Sequence, residues 1–494
     1  MTTSLSRNGY ALYRKNLTDD EIEKIKKELT VSPRVNNSFQ IVKPPEYILY
    51  RENSTKLYLP RNYGLSNYGL PERDVISDNV IHCSERLVFQ GTLRKEQEEP
   101  VNAFFKCAND PLKRGGIISV PCGGGKTVMA LYCICALKVK TLFIAHKDFL
   151  LTQFIERAAL FIPTAKIGII KQNKVITEDC DIVIGSLQSI AMRDYDPKIF
   201  SEFGLVIIDE CHHTSAEVFS NALVKVTSPI MMGLSATLNR KDGLRRVFEW
   251  FLGKPVMPVK KASAPKATMD VKVYKFRCND PEYNTVLSMY NGRINMTGML
   301  TNICSYRPRT HFIVGIILDI LKDTNRKVLV LGERRSLLKD IENILRSNDN
   351  TLTIGYYVGG MTRTQLKNSE DARVILATYQ MASEGMDIAS LNTLVMASPI
   401  GDIEQSIGRI QRQKADEQTI TPLTIDIYDT FSIFNNRFKT RSKFYKSKGF
   451  NVVDPENSNT SYDNNDHQEE CDSEDGEDRK KQVKHVFVDD DEIL

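Results

Sequence analysis

Between residues 86 and 255 short apolar runs recur, GGIISV, KTLFIAH, CDIVIGS, GLVIID and IMMGLSA, each followed by polar or amphipathic residues. Runs of this length, separated by stretches of helical periodicity, predict an open parallel α/β sheet. A second block of the same kind spans about residues 307–453, with KVLVLGE, LTIGYYVG, RVILATY, TLVMASP and LTIDIYD as its strands. Ahead of both, residues 1–85 mix a charged helical pattern, DDEIEKIKKEL, with short extended segments such as EYILYRE and KLYLPRNYG, which predicts a small mixed α/β domain. Residues 256–306 open within the Pro-, Lys- and Ala-rich run KPVMPVKKASAPKAT and read as a connector. RFKTRSKFYKSKGF predicts a terminal amphipathic helix that packs Phe438, Phe444 and Tyr445. Residues 454–494 are acidic, poor in apolar side chains and expected to be disordered.

Composition changes this picture in two places. The net charge of +4 conceals an imbalance: residues 454–494 carry 15 Asp and Glu against 4 Lys and Arg, leaving the rest of the chain strongly basic. A basic body with an acidic tail suits a polyanion binder, the tail competing for the same surface or docking a protein partner. Ten scattered cysteines without a CxxC pair suggest neither a zinc site nor a disulfide framework. They fit a reducing intracellular compartment, cytoplasm or nucleus, or a virion if the protein is viral. No apolar stretch approaches the roughly 20 residues needed to cross a bilayer, so no membrane partner is expected, and MTTSLSRNGYALYRKN lacks the apolar region of a secretory signal.

The candidate chemistry begins at Ser119-Val120-Pro121-Cys122-Gly123-Gly124-Gly125-Lys126-Thr127, between a predicted strand and a predicted helix. Glycines let backbone N–H groups turn toward phosphates, and the helix N-terminus adds favourable partial charge. Lys126 would reach the β- and γ-phosphates and Thr127 would bind Mg²⁺. The strict GxxxxGK[ST] pattern would place glycine at Val120, and this loop departs from it. The second half of the site is GLVIIDECHH, where an apolar strand ends in Asp209 and Glu210 at the edge of a parallel sheet that binds ligands. Asp209 would hold Mg²⁺ through water, and Glu210 would orient and deprotonate the attacking water. His212 would sit between the nucleotide and the next motif. A lone Asp-Glu pair is commonplace; following the glycine loop in a βα array gives it weight.

With these residues in place the chain resembles the superfamily-two helicases of the DEAD/DEAH-box type, here in a DECH form. The resemblance covers about residues 86–450. It implies two tandem RecA-like domains, residues 86–255 for ATP binding and 307–453 for the C-terminal lobe. It also implies a cycle driven by ATP and Mg²⁺. FQGTLRKEQ is similar to the element upstream of the phosphate loop, so Gln97 would recognise adenine, beside Pro121, Cys122, Gly123, Gly124, Gly125, Lys126 and Thr127. TLFIAHKDFLLTQF and GSLQS resemble the strand-contacting motifs, implicating His146, Lys147 and Ser186. His146 reads equally as a strand-end histidine satisfied by its surroundings. Ser235-Ala236-Thr237 is the SAT element, in which Ser235 and Thr237 couple nucleotide state to strand contacts. ATYQMASEGMD places Thr378 toward the nucleic-acid backbone and Gly385 and Asp387 toward the nucleotide. QSIGRIQR supplies Gln405, Arg409 and Arg412; the two arginines lie three apart on one helix face and suit an arginine-finger role. Individually several of these motifs are weak, and their order along the chain carries the assignment.

GLSATLNRKDGLRRVFEWFLG and the glycine loop resemble the transcription-repair helicase group and phage branch-migration helicases. YRENSTKLYLPRNYGL resembles the small domain ahead of the motor in helicases of large cytoplasmic DNA viruses. That subgroup implies a DNA helicase or translocase of 3′-to-5′ polarity, working in repair, recombination or transcription. The nearest rival is an RNA helicase or transcript-release factor, because motor contacts run mainly to phosphates. A restriction-enzyme R subunit would need a PD…ExK nuclease core, which the sequence outside the two blocks lacks. An ATPase-silent nucleic-acid scaffold would have no physical need for Lys126, Asp209, Glu210, Arg409 and Arg412 together.

Overall fold

The computed structural model describes residues 2–33, 45–83, 85–120, 124–210, 216–236, 243–258, 269–290, 292–386, 388–401, 403–411 and 420–455. The acidic tail from 456 onward lies outside them. The chain divides into two compact units, Met1–Lys261 and Ala262–Leu494.

The first unit is built on a seven-stranded sheet in the order Lys174–Ile176, Ile167–Lys171, Ile182–Ser186, Thr141–Ala145, Leu205–Ile208, Ile230–Ser235, Gly115–Ser119. Every pairing is parallel except that of the Lys174–Ile176 edge strand. The runs GGIISV, KTLFIAH, CDIVIGS, GLVIID and IMMGLSA are thus all strands. Their near-continuous burial is what a parallel sheet covered on both faces demands.

The N-terminal sheet, in the order Arg51–Glu52, Lys56–Leu59, Gly9–Tyr13, Thr3–Ser6, Arg73–Asp74, belongs to this same unit. Leu5, Tyr10, Leu12, Leu57 and Leu59 share one apolar cluster with Ile117, Leu142, Val206 and Met231 of the large sheet. Arginine adds a second bond between the two. Arg61, fully buried, donates to the carbonyls of Ser228 (2.8 Å), Pro229 (2.6 Å) and Arg114 (3.0 Å). Burial pulls it down to about 9. The helix Asp19–Glu28 starts on a reciprocal cap between Thr18 and Glu21, as its charged pattern predicts. KLYLPRNYG is extended only over Lys56–Leu59; from Arg61 to Tyr68 it is helical, with Pro60 just ahead where its fixed φ suits a helix start. Trp250, in the helix Arg245–Leu252, packs edge-on against Tyr63 in the core.

The second unit is a wholly parallel seven-stranded sheet: Ile354–Tyr357, Val374–Thr378, Val328–Gly332, Thr393–Met396, Leu423–Asp429, Asp270–Phe276, Asn451–Val453. Residues 270–306, within the stretch read from sequence as connector, contribute the Asp270–Phe276 strand and the helix Met296–Ser305. Phe276, Tyr283, Met299 and Ile303 enter its core. The closing helix Ser432–Lys448 buries Tyr445 and half-buries Phe438 and Phe444, as its pattern predicts.

Candidate nucleotide and strand-contact site

Parallel pairing carries the carboxyl ends of neighbouring strands to one edge of the first sheet. Ser119, Ser235, Ile208, Ala145 and Ser186 end the five strands whose loops hold the candidate residues. The turn from Gly115–Ser119 into the helix Lys126–Leu137 closes on Gly125, whose φ of +80° caps that helix. A Cβ there would lie 2.1 Å from the Gln97 amide nitrogen, so both conformation and space require glycine. Gln97 itself is buried, its carbonyl accepting from the Arg94 N–H (2.9 Å) and its NH₂ donating to the Gly124 carbonyl (3.1 Å). Pro121, Cys122 and Gly123 lie outside the described residues.

Lys126 begins the helix and reaches the second half of the site: its Nζ donates to Glu210 Oε1 at 2.5 Å. Asp209 is 9% exposed and accepts from the Glu210 N–H at 3.0 Å, while Glu210 adopts a φ of +46°. For a non-glycine residue that conformation is uncommon and belongs to sites whose surroundings over-determine the backbone. Burial first, and then the neighbouring Glu210 charge, push the Asp209 carboxyl up to about 6 against the pull of Lys126. A buried carboxylate at Asp209 is an oxygen donor of the kind a hard divalent cation takes, and Thr127 stands in the first turn of the helix that Lys126 begins. Ser235 lies fully buried beside Ser119, and its carbonyl accepts from the Val120 N–H at 3.1 Å. His212 and Thr237 lie outside the described residues.

Farther along the same edge, Gln188 ties two strand-contact candidates together. It donates to the His146 carbonyl at 2.7 Å and accepts from the Ser186 hydroxyl at 3.4 Å. Lys147 caps the helix Asp148–Phe161, and partial burial lowers its ammonium below the ordinary lysine value.

In the second unit Thr378 caps the helix Tyr379–Gly385, accepting from the Met381 N–H at 3.5 Å. Arg409 donates to the carbonyl of Met386, just past that helix, at 2.7 Å. The structure therefore joins ATYQMASEGMD to QSIGRIQR. Asp387, Arg412 and the Gln405 side chain lie outside the described residues.

A further set of contacts, with no counterpart among the motifs, follows the Thr393–Met396 strand. Four consecutive carbonyls after the Thr393–Met396 strand are each captured by a side chain. Arg309 takes Ala397 (2.8 Å), Tyr379 takes Ser398 (2.7 Å), Arg437 takes Pro399, and Arg441 takes Ile400 (2.7 Å). Arg309 is held in turn by Asp429 at 2.5 Å and Arg441 by Asp426 at 2.8 Å, all four fully buried. Burial alone would depress each guanidinium, but its aspartate keeps it above the ordinary arginine value. The legible signal was LTIDIYD, an apolar strand carrying two acids that must find buried partners.

The chain is similar to several known proteins. Residues 90–240 match the family described as Type III restriction enzyme, res subunit. A protein of Acanthamoeba polyphaga mimivirus provisionally named an ATP-dependent RNA helicase is 33% identical over 458 residues, 91% of this chain and 86% of the relative. A similarly named African swine fever virus protein is 24% identical over 380 residues, 72% of each chain. A protein of Invertebrate iridescent virus 6 provisionally named a helicase is 26% identical over 435 residues, 82% of this chain and 91% of the relative.

Proposed function

Since the chain belongs to the superfamily-two helicases that include these proteins of large DNA viruses, and is an ATP-hydrolysing helicase on two RecA-like units, we propose that it works on DNA with 3′-to-5′ polarity and that Lys126, Asp209 and Glu210 form its chemical centre. The observation that carries the centre is the 2.5 Å contact between Lys126 and Glu210 beside buried Asp209. A triphosphate entering the Gly125 turn would compete with Glu210 for the Lys126 ammonium. Glu210, released, would accept the proton of the attacking water. Mg²⁺, when bound by Thr127 and Asp209, would neutralise charge on the β- and γ-phosphates. Gln97 would hold the loop from the adenine side. Arg409 and Arg412, with Gln405, would stabilise the transferring phosphoryl, and Gly385 and Asp387 would face the nucleotide. His146, Lys147, Ser186 and Thr378 would grip strand phosphates, which position without reading sequence. Ser235, Thr237 and His212 would pass the nucleotide state to that grip.

The choice of DNA rests on the likeness of the glycine loop and of the 233–253 stretch to the transcription-repair group. RNA is the second reading, favoured by the RNA-helicase names of the mimivirus and African swine fever virus relatives. Steady-state ATPase, alone and with single-stranded DNA, duplex DNA or RNA, separates the two, with Lys126→Ala as control. DNA stimulation abolished by that substitution is the expected outcome. Stimulation by RNA alone would transfer the same mechanism to RNA remodelling, and activity surviving in Lys126→Ala would remove the proposed centre.

A further inference from the structure

The helix Ser432–Lys448 carries a basic residue at 437, 441 and 448, spacings that set all three in one stripe along the helix. Each holds a different point of the chain ahead of Arg409, and the points follow in order. Arg437 donates to the Pro399 carbonyl, Arg441 to the Ile400 carbonyl at 2.7 Å, and Lys448 to the Glu404 carboxylate at 2.8 Å. Glu404 opens the helix Glu404–Ile407, and helical turns run on from it. The Arg409 N–H donates to the Ser406 carbonyl at 3.2 Å, and the Ile410 N–H to the Ile407 carbonyl at 3.1 Å. Whatever fixes Glu404 therefore fixes the backbone of Arg409.

The stripe stands on rigid structure. Arg441 and Tyr445 both donate to Asp426, at 2.8 and 2.7 Å, in the middle of the strand Leu423–Asp429. The Phe438 ring stacks on Tyr428 of that strand, with centroids 3.9 Å apart. Ile403, Ile407 and Ile410 are buried in the same apolar cluster as Tyr445 and Phe450, and Phe438 and Phe444 pack against it. Stability explains Arg437 least. It is half-buried, makes no ion pair among the described residues and directs its charge at a neutral carbonyl. Burial lowers its guanidinium below the ordinary arginine value. An apolar side chain at 437 would avoid that desolvation cost, but could not hold the carbonyl.

We propose that Arg437 and Lys448 are positioning residues for ATP hydrolysis: with Arg441 they fix the chain at Pro399, Ile400 and Glu404, and so the place of Arg409. The inference rests on the reading of Arg409 as a group that stabilises the transferring phosphoryl, and it adds what holds that group in place. Placement of this kind governs the chemical step, since a shift of about 1 Å can cost up to about a hundredfold in rate. A purely structural role would lower the melting temperature and leave the chemical step of the folded protein unchanged.

The test follows single-turnover ATP hydrolysis and nucleotide affinity of the full chain with single-stranded DNA, repeated with RNA, well below the unfolding temperature of every variant. Arg437→Ala should bind ATP within about twofold of wild type and hydrolyse it about tenfold more slowly, the split expected when only transition-state contacts are weakened. Arg437→Lys, which keeps a donor for the Pro399 carbonyl, should restore most of the rate. Lys448→Glu should slow hydrolysis about threefold, the size of one exposed ion pair. Adding Glu404→Lys should return that rate by remaking the pair with its charges exchanged. In an Arg409→Ala background, Arg437→Ala should bring no further loss, because the two act through one group. Wild-type hydrolysis in Arg437→Ala would overturn the proposal, as would a loss confined to nucleotide affinity. A loss that multiplies in full with that of Arg409→Ala would overturn it too, since Arg437 would then act elsewhere. Arg409→Ala hydrolysing at the wild-type rate would instead sink the reading of Arg409 on which the inference rests.

Discussion

Asp209 shows how one residue's environment sets a condition on the whole reaction. Burial and the adjoining Glu210 raise its carboxyl to about 6, so it is ionised at neutral pH by a modest margin. Only the ionised form can hold a cation, and protons compete with the metal below that value. The apparent affinity for Mg²⁺ in the ATPase reaction should therefore weaken as pH falls through 6, by about tenfold per unit well below it. Titrations of activity against Mg²⁺ between pH 7.5 and 5 check this; an affinity that does not change across the range would contradict the role given to Asp209. The stability effect has the opposite sense. The folded chain holds this proton more tightly than the unfolded chain, so its contribution to stability is lost as pH rises from the ordinary carboxylate range to about 6. Asp209, Glu210, Lys126 and Thr127 were legible as a set because each residue type is needed by phosphate chemistry at that spacing. The bond from Gln97 to the Gly124 carbonyl was not, since it joins positions 27 apart through a buried amide.

At the scale of elements, the segment Ala397–Ile400 is held by charge buried within the second unit. Arg441 binds Asp426 through Nε and Nη2 while its Nη1 holds the Ile400 carbonyl, and Tyr445 donates to the same aspartate at 2.7 Å. Removing one member leaves an uncompensated buried charge, a loss of about 3–5 kcal/mol. Arg441→Met should lower the unfolding free energy by that amount in denaturant titrations. Adding Asp426→Leu should recover much of the loss, because the apolar pair removes both charges. A double variant no more stable than the single one would show that the carbonyl bond, not the ion pair, carries the stability. Asp426 and Asp429 in LTIDIYD announce a need for partners. Arg309, 120 residues from Asp429, is found only when the helix Arg307–Leu321 packs on the sheet.

For the whole molecule, charge distribution is the property the sequence states most directly. The last 41 residues hold 15 acids against 4 bases, while the rest of the chain has the larger share of Lys and Arg. A polyanionic segment tethered to a basic motor competes with phosphates at high effective concentration. Removing residues 456–494 should tighten binding to single-stranded nucleic acid and steepen its dependence on salt. Binding isotherms between about 50 and 200 mM salt measure both. An unchanged affinity and slope would free the tail for a protein partner. The N-terminal sheet shows the limit of reading by segments. Residues 1–85 read as a separate small domain, yet Leu5, Tyr10 and Leu12 share one core with the first large sheet, and Arg61 donates to three carbonyls just ahead of two of its strands.

The sequence by itself determined the two parallel α/β sheets, most of their strands and the residue types of the phosphate chemistry. Each of these depends on neighbours in sequence: an apolar run, a glycine turn, a helix start. Tertiary structure alone decided which distant groups meet. It brought Lys126 to Glu210, set Arg309, Tyr379, Arg437 and Arg441 on four consecutive carbonyls, and made Asp270–Phe276 a strand of the second sheet. Those contacts follow from packing and from the need to pair buried charge, and no local pattern encodes the partner.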